Sequence, residues 1–220
     1  MKEHQKNNPE EIFDIQTYRN EFISILEGIN NCYFILSKSN TKLINHEEKI
    51  RNVLLKDYLQ NREIKKKFGL MNYRFEAEGI AGIDDNYKET GYTDIKVISR
   101  KTFETEDYDY IFECKRLDGG LHLNREYLTE GIYRFVSEKY YSKHGIYGMI
   151  GFVVKKIDID ENIEKIKQIE IDENLKLNTV SNIQKNDKYF QSKHFTEKQN
   201  NIVIYHTMMN FSDFFKLKNN

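Results

Sequence analysis

The segment Tyr110-Ile111-Phe112-Glu113-Cys114-Lys115-Arg116 sets an acid and a base, two residues apart, inside an apolar run with strand character. In a strand, alternate residues share a face. Ile111, Glu113 and Lys115 therefore point one way, and Tyr110, Phe112 and Cys114 the other. Ionised groups in so apolar a strand are costly to bury unless they are paired or bound to a metal. That cost marks the segment as a functional candidate. A second acid, Asp94, stands in the preceding apolar run, Gly91-Tyr92-Thr93-Asp94-Ile95-Lys96. The competing reading is an edge strand whose Glu and Lys face solvent.

Bulk properties narrow the class. The chain has 220 residues, enough for one domain with a real core. Charged residues make up 31% of it and the net charge is −1, so any contact with nucleic acid must use a local basic patch. Cys32 and Cys114 are too few for a disulfide framework or a zinc site. The polar start Met1-Lys2-Glu3-His4-Gln5-Lys6 lacks the apolar core of a signal peptide, and no apolar run approaches the ~20 residues that span a bilayer. These features predict a cytoplasmic protein without membrane contact.

Periodicity organises the chain as α/β. Residues 1–10 read as a disordered leader, Ile12–Gly28 as a helix, and 31–37 as its continuation or a strand. Leu43–Asn61 reads as a helix and Asn72–Glu78 as a strand, followed by a loop through Gly79, Gly82 and 84–86. Strands are expected at 92–99 and 108–115, joined by a hairpin-like connection over 100–107. A helix is expected from Asn124 to Tyr141, a strand from Ile146 to Val154 and a helix over 160–174. Residues 175–188 read as a loop before strands at 189–195 and 202–209, with Phe211, Phe214 and Phe215 packing down.

The order helix–strand–strand–strand–helix–strand, with Asp94 in the second strand and Glu113-Cys114-Lys115 in the third, resembles the PD-(D/E)XK, or restriction-endonuclease-like, superfamily. The resemblance covers about residues 43–155, with 1–40 as an N-terminal helical extension and 156–220 as a C-terminal helix and strands. Thr93 stands where the nominal motif has proline. Other Glu-x-Lys copies, at 47–49 and 63–65, sit in polar, helix-like sequence. The resemblance implies a mixed sheet of four or more strands flanked by helices, and metal-dependent hydrolysis of phosphodiester bonds. DNA is the implied substrate, with RNA the open alternative, and host defence, restriction or phage exclusion the implied role. Asp94 and Glu113, with the Cys114 carbonyl, would ligate Mg²⁺ or Mn²⁺, and Lys115 would hold the attacking water. A non-catalytic subunit with the same fold, binding nucleic acid or a protein partner, is the rival reading. Without a separate recognition domain, specificity falls to loops, a homodimer or a partner in a defence complex.

The family often takes one further carboxylate from the first core helix. At 100° per residue from Leu43, Glu47 falls near 40°, inside the apolar stripe of Leu54 (about 20°) and Tyr58 (about 60°), while Glu48 falls near 140°, at its margin. Glu47 is therefore assigned to the site over Glu48. Glu78, beside the glycine loop, is read as a solvated strand-end acid, with reach to the metal as its alternative. Arg116, Arg125, Arg134 and Lys139 are the expected nucleic-acid contacts, with His122, Lys143 and the run Arg62, Lys65, Lys66, Lys67 as further basic groups. For Arg134 the alternative is pairing with a carboxylate inside the fold. His194 and His206 lie in the last two expected strands, placed to face each other as packed or surface histidines rather than a metal pair.

Overall fold

A computed structural model describes residues 9–83, 89–100, 109–140, 142, 144–186 and 189–215; of 9–13, 78–83, 89–91 and 186 it describes the backbone alone. Of the expected leader at 1–10, residues 1–8 lie outside these residues and Pro9 and Glu10 are helical; 101–107 of the expected connection, 84–86 of the expected loop and Lys143 lie outside as well, as does the side chain of Glu78.

Helix α1, Pro9–Ser37, runs unbroken through the 31–37 segment. Helix α2, Glu47–Val53, starts four residues later than the apolar pattern and continues into a π-helical turn, Leu54–Leu59. The short α3, Arg62–Lys67, is capped by the Asn61 side chain, which accepts from the amides of Glu63 and Ile64. Strands β1 (Tyr73–Ile83), β2 (Glu89–Ser99) and β3 (Asp109–Leu117) follow. Helix α4, Leu121–Tyr127, passes through a second π-helical turn, Leu128–Ile132, into α5, Tyr133–Val136, so the helix stops before the expected Tyr141. Strand β4 (Ile146–Val153) and helix α6 (Ile159–Asp172) lead to β5 (Thr179–Asn186), β6 (Tyr189–Phe195) and β7 (Asn201–Asn210).

The described strands form one mixed sheet of seven, in the order β1-β2-β3-β4-β7-β6-β5. β1 to β3 form an antiparallel meander. The α4–α5 crossover makes β4 parallel to β3, and β7 is parallel to β4. Two expectations are corrected. β1 continues through Gly79 and Gly82, where a loop was expected, because its backbone pairs with β2 as far as Ile83↔Glu89. Residues 179–186 form β5 rather than a loop: the segment is mostly polar, but pairing with β6 supplies the hydrogen bonds that its own pattern does not announce.

Two cores lie on opposite faces of the sheet. Tyr110, Phe112 and Cys114 of β3 pack with Phe22 and Ile25 of α1 and Ile50 of α2. Ile111 packs on the other face with Tyr127, Ile132 and Phe135 of the crossover and Ile163 and Ile166 of α6. The parity of β3 thus divides the molecule. Phe211 is fully buried, and Phe214 and Phe215 pack partly buried beside it.

The second core holds a polar chain with a fixed direction. His194 Nδ1 is 3.0 Å from the Leu177 carbonyl, which can only accept, so Nδ1 carries the proton and Nε2 is bare. Ser192 then donates to His194 Nε2 (2.8 Å) and accepts from His206 Nε2 (2.9 Å), and Tyr127 donates to His206 Nδ1 (2.8 Å). The two histidines meet through Ser192 rather than face to face. Either histidine, once charged, would present a donor to a donor. Burial pushes the His194 pKa down to about 4, and burial with the neighbouring His194 pushes His206 down to about 3. In the unfolded chain both titrate near 6.5, so protons bind the unfolded state first. Stability is therefore full above pH 6.5 and is lost as pH falls from there through the depressed values. Urea midpoints should drop between about pH 7 and pH 4.5, and drop less steeply in a His194→Gln, His206→Gln double variant. Equal slopes would contradict this account of the chain.

Candidate active site

The site forms where β2 and β3 part. Their ladder runs from Ile98↔Asp109 to Ile95↔Phe112 and ends there. Beyond that point the β3 amides on the β2 side need other acceptors, since a buried backbone N–H without one costs about 1–3 kcal/mol. Two carboxylates supply them. Asp94 Oδ2 accepts from the Cys114 amide at 2.8 Å, and Glu47 Oε2 from the Arg116 amide at 3.0 Å. The acids thus cap the open edge of the strand that carries Glu113 and Lys115.

Beside that edge, the buried Lys115 gathers the acids. Its Nζ lies 2.9 Å from Glu113 Oε1, 3.1 Å from Glu47 Oε1 and 3.0 Å from the Cys114 carbonyl. Three acceptors match the three protons of an ammonium. Burial alone would lower the Lys115 pKa, but Glu113, Glu47 and Asp94 outweigh it and raise it, which holds the charge in place. Glu113 has no exposed surface. Burial and the Asp94 charge push its carboxyl up to about 7, against the pull of Lys115 and Arg134.

Arg134 of α5 donates through Nη1 to Glu113 Oε1 (2.6 Å) and to the Tyr140 hydroxyl (2.9 Å). The Tyr140 hydroxyl also lies 2.9 Å from Glu113 Oε2 and 2.9 Å from the Tyr92 carbonyl. Gly131 lies on the face of the crossover that meets β3 and β4. A Cβ there would lie 2.6 Å from Met149 Cε and 3.5 Å from Lys115 Cγ, so a larger residue would require only the end of the Met149 side chain to shift. On the other side, Arg51 of α2 donates through Nη1 to Asp94 Oδ1 at 2.8 Å, with only 5% of its side chain exposed. The carboxylates Glu47, Asp94 and Glu113 are thereby balanced by the cations Arg51, Lys115 and Arg134.

Glu47, Asp94, Glu113 and Lys115 are brought together from α2, β2 and β3. Glu48 is turned outward, 3.6 Å from Lys49 and in reach of Asn52. The Cys114 side chain faces the opposite core. Among the expected nucleic-acid contacts, Arg134 lies inside the site on Glu113 rather than on an open face, because α5 is seated against β3. Arg125 is turned to α6, with Nη2 2.5 Å from Glu173 Oε1. Arg116 donates to the Asn45 carbonyl and side chain, both at 3.2 Å. Lys139 is half-buried in the bend that follows α5. Lys65 donates to the Tyr73 carbonyl and His122 lies 3.4 Å from Glu126, so neither faces the site. Arg51 and Tyr140 are missing from the sequence reading. The same wheel that selects Glu47 puts Arg51 near 80°, at the border of the apolar stripe, so a signal for Arg51 was present. Tyr140 lies past the end of α5, beyond any helical period.

The donor set suits a hard divalent cation. Each Asp94 oxygen accepts one of the hydrogen bonds above, and Glu113 Oε2 lies against Tyr140 alone among them, so oxygen lone pairs remain on both acids. No group of three or more His, Cys, Asp or Glu arranged for a metal occurs among the described residues, so a metal here would rest on two carboxylates and a backbone carbonyl. Among the described residues no helix is long and apolar enough to cross a membrane. No family model matches this chain, and no curated protein or solved structure matches it.

The Arg51–Asp94 pair generates a stability prediction. Removing one partner of a buried ion pair leaves the other uncompensated, so Arg51→Ala should lower unfolding free energy by about 3–5 kcal/mol. An Arg51→Ala, Asp94→Asn double variant should recover part of that loss, because the stranded charge is gone while an oxygen still caps the Cys114 amide. Additive losses in chemical denaturation would contradict the pairing.

Proposed function

We propose that this chain is a metal-dependent nuclease of the PD-(D/E)XK type, acting on DNA. The observation that carries the reading is the convergence of Glu47, Asp94 and Glu113 around Lys115 from three separate elements. The order α2, β1–β3, crossover helix, β4 supports it, because it is the core that the sequence resemblance implies. Asp94, Glu113 and the Cys114 carbonyl would hold Mg²⁺ or Mn²⁺, and such an ion lowers the pKa of water and offsets charge on the phosphoryl oxygens.

The chain's own residues have definable tasks. Lys115 is charged and is held on three acceptors, so it can exchange one of them for a water and orient it. Glu47 fixes the Lys115 ammonium from the helix side while its second oxygen holds the Arg116 backbone. Asp94 joins β2 to the open edge of β3, so the two acids keep their spacing without a ladder between them. Tyr140 and Arg134 fix the Glu113 carboxylate in one rotamer. The same saturated ion pairing favours a second reading, a non-catalytic subunit of this fold that binds nucleic acid or a protein partner.

Incubation with plasmid, linear and single-stranded DNA and RNA separates the two. With Mg²⁺ or Mn²⁺ the protein should cleave DNA, and EDTA should stop it. Glu113→Gln, Lys115→Ala and Glu47→Gln should each reduce turnover by about 100-fold or more, and Glu48→Gln should leave it near wild type. For the remaining acid Asp94→Asn is the informative change, since Asp94→Ala would also strip the Cys114 amide of its acceptor. Undiminished cleavage in EDTA would overturn the metal assignment, and no cleavage of any nucleic acid would favour the binding subunit.

A further inference from the structure

Arg134 is the cation of this site with unused bonding capacity on the side away from Glu113. Both Nη1 protons are given to Glu113 and Tyr140. Among the described residues Nη2 has one partner, the distant Glu130 at 3.8 Å, and the buried Nε has no hydrogen-bond partner. A guanidinium offers Nε–H and Nη2–H as a parallel fork that matches two oxygens of a phosphate. Arg116, the residue after Lys115, likewise has a buried Nε without a partner. Its Nη1 rests on neutral Asn45. Meanwhile Arg134 sits on the Glu113 oxygen that Lys115 also uses, and its charge lowers the affinity of that carboxylate for a cation.

We propose that Arg134 is a positioning residue that moves between two anions: Glu113 in the free protein and a backbone phosphate of nucleic acid in the complex. The inference rests on the nuclease reading and adds an order to it. When Arg134 turns to the phosphate, the Glu113 oxygen it leaves has a lone pair open to a divalent cation. Metal and nucleic acid therefore bind cooperatively, each favouring the other by the same factor. The free protein holds metal weakly, because its acids are already neutralised by Arg51, Lys115 and Arg134. Hydrolysis is thus confined to the complex that contains both.

Mn²⁺ binding, read by the electron paramagnetic resonance of the free ion, tests this without turnover. The probe is a phosphorothioate DNA duplex, added to saturation to wild type, Arg134→Gln and Arg134→Lys. For wild type, the duplex should tighten Mn²⁺ binding by about tenfold or more. Arg134→Gln should bind Mn²⁺ about tenfold more tightly than wild type without DNA, and DNA should then change it little. Arg134→Lys retains the charge on Glu113 but lacks the fork, and should bind Mn²⁺ as weakly as wild type with reduced coupling to DNA. Melting curves identify which variants are folded, and either variant alone decides the outcome. Wild-type coupling in both variants, or no coupling in wild type, overturns the shuttle and leaves the nuclease reading intact. Absence of Mn²⁺ binding in every protein, with and without DNA, overturns the metal site and the shuttle with it.

Discussion

A carboxylate without exposed surface, in an inner strand of a sheet, is ionised only if donors surround it. Glu113 stands in that position, and the surrounding structure is arranged around it. Lys115 comes from its own strand, Arg134 and Tyr140 from the crossover. Lys115 in turn draws in Glu47, which ties α2 to the end of β3. Without this compensation the Glu113 carboxyl would take a proton or the strand would leave the sheet.

The splay of β2 from β3 is the second constraint. Ending the ladder at Ile95↔Phe112 leaves backbone donors exposed to an apolar surround, and the side chains that answer them are Asp94 and Glu47. The same two acids belong to the proposed site around Lys115. A structural duty and a proposed catalytic duty therefore fall on the same oxygens, and a substitution that removes the oxygens disturbs both. Arg51 belongs to this arrangement, since it neutralises Asp94 from within the first core.

What was legible in the sequence followed from short-range periodicity. The two-residue period of β3 assigned Glu113 and Lys115 to one face and Cys114 to the other, and the helical period assigned Glu47 rather than Glu48 to the inner side of α2. Both rules act over a few residues and survive inaccurate element ends. For Arg134 the sequence left two roles open, phosphate or an internal carboxylate, because the π-helical turn Leu128–Ile132 inserts an extra residue and shifts the helical phase before Arg134 is reached. β5 was hidden for a different reason: Thr179–Asn186 carries Val180 and Ile183 as its apolar residues, and its state is decided by β6. The continuation of β1 through its glycines is likewise a tertiary decision, made by pairing with β2.

The central claim is that Asp94 and Glu113 share a cation beside Lys115. The anomalous scattering of manganese in crystals grown with Mn²⁺ and a phosphorothioate DNA duplex tests it directly. The account predicts a peak within coordination distance, about 2.0–2.3 Å, of a carboxylate oxygen from each of Asp94 and Glu113. A Mn²⁺ peak bound elsewhere, with Arg51 and Arg134 still seated on the two acids, would contradict it.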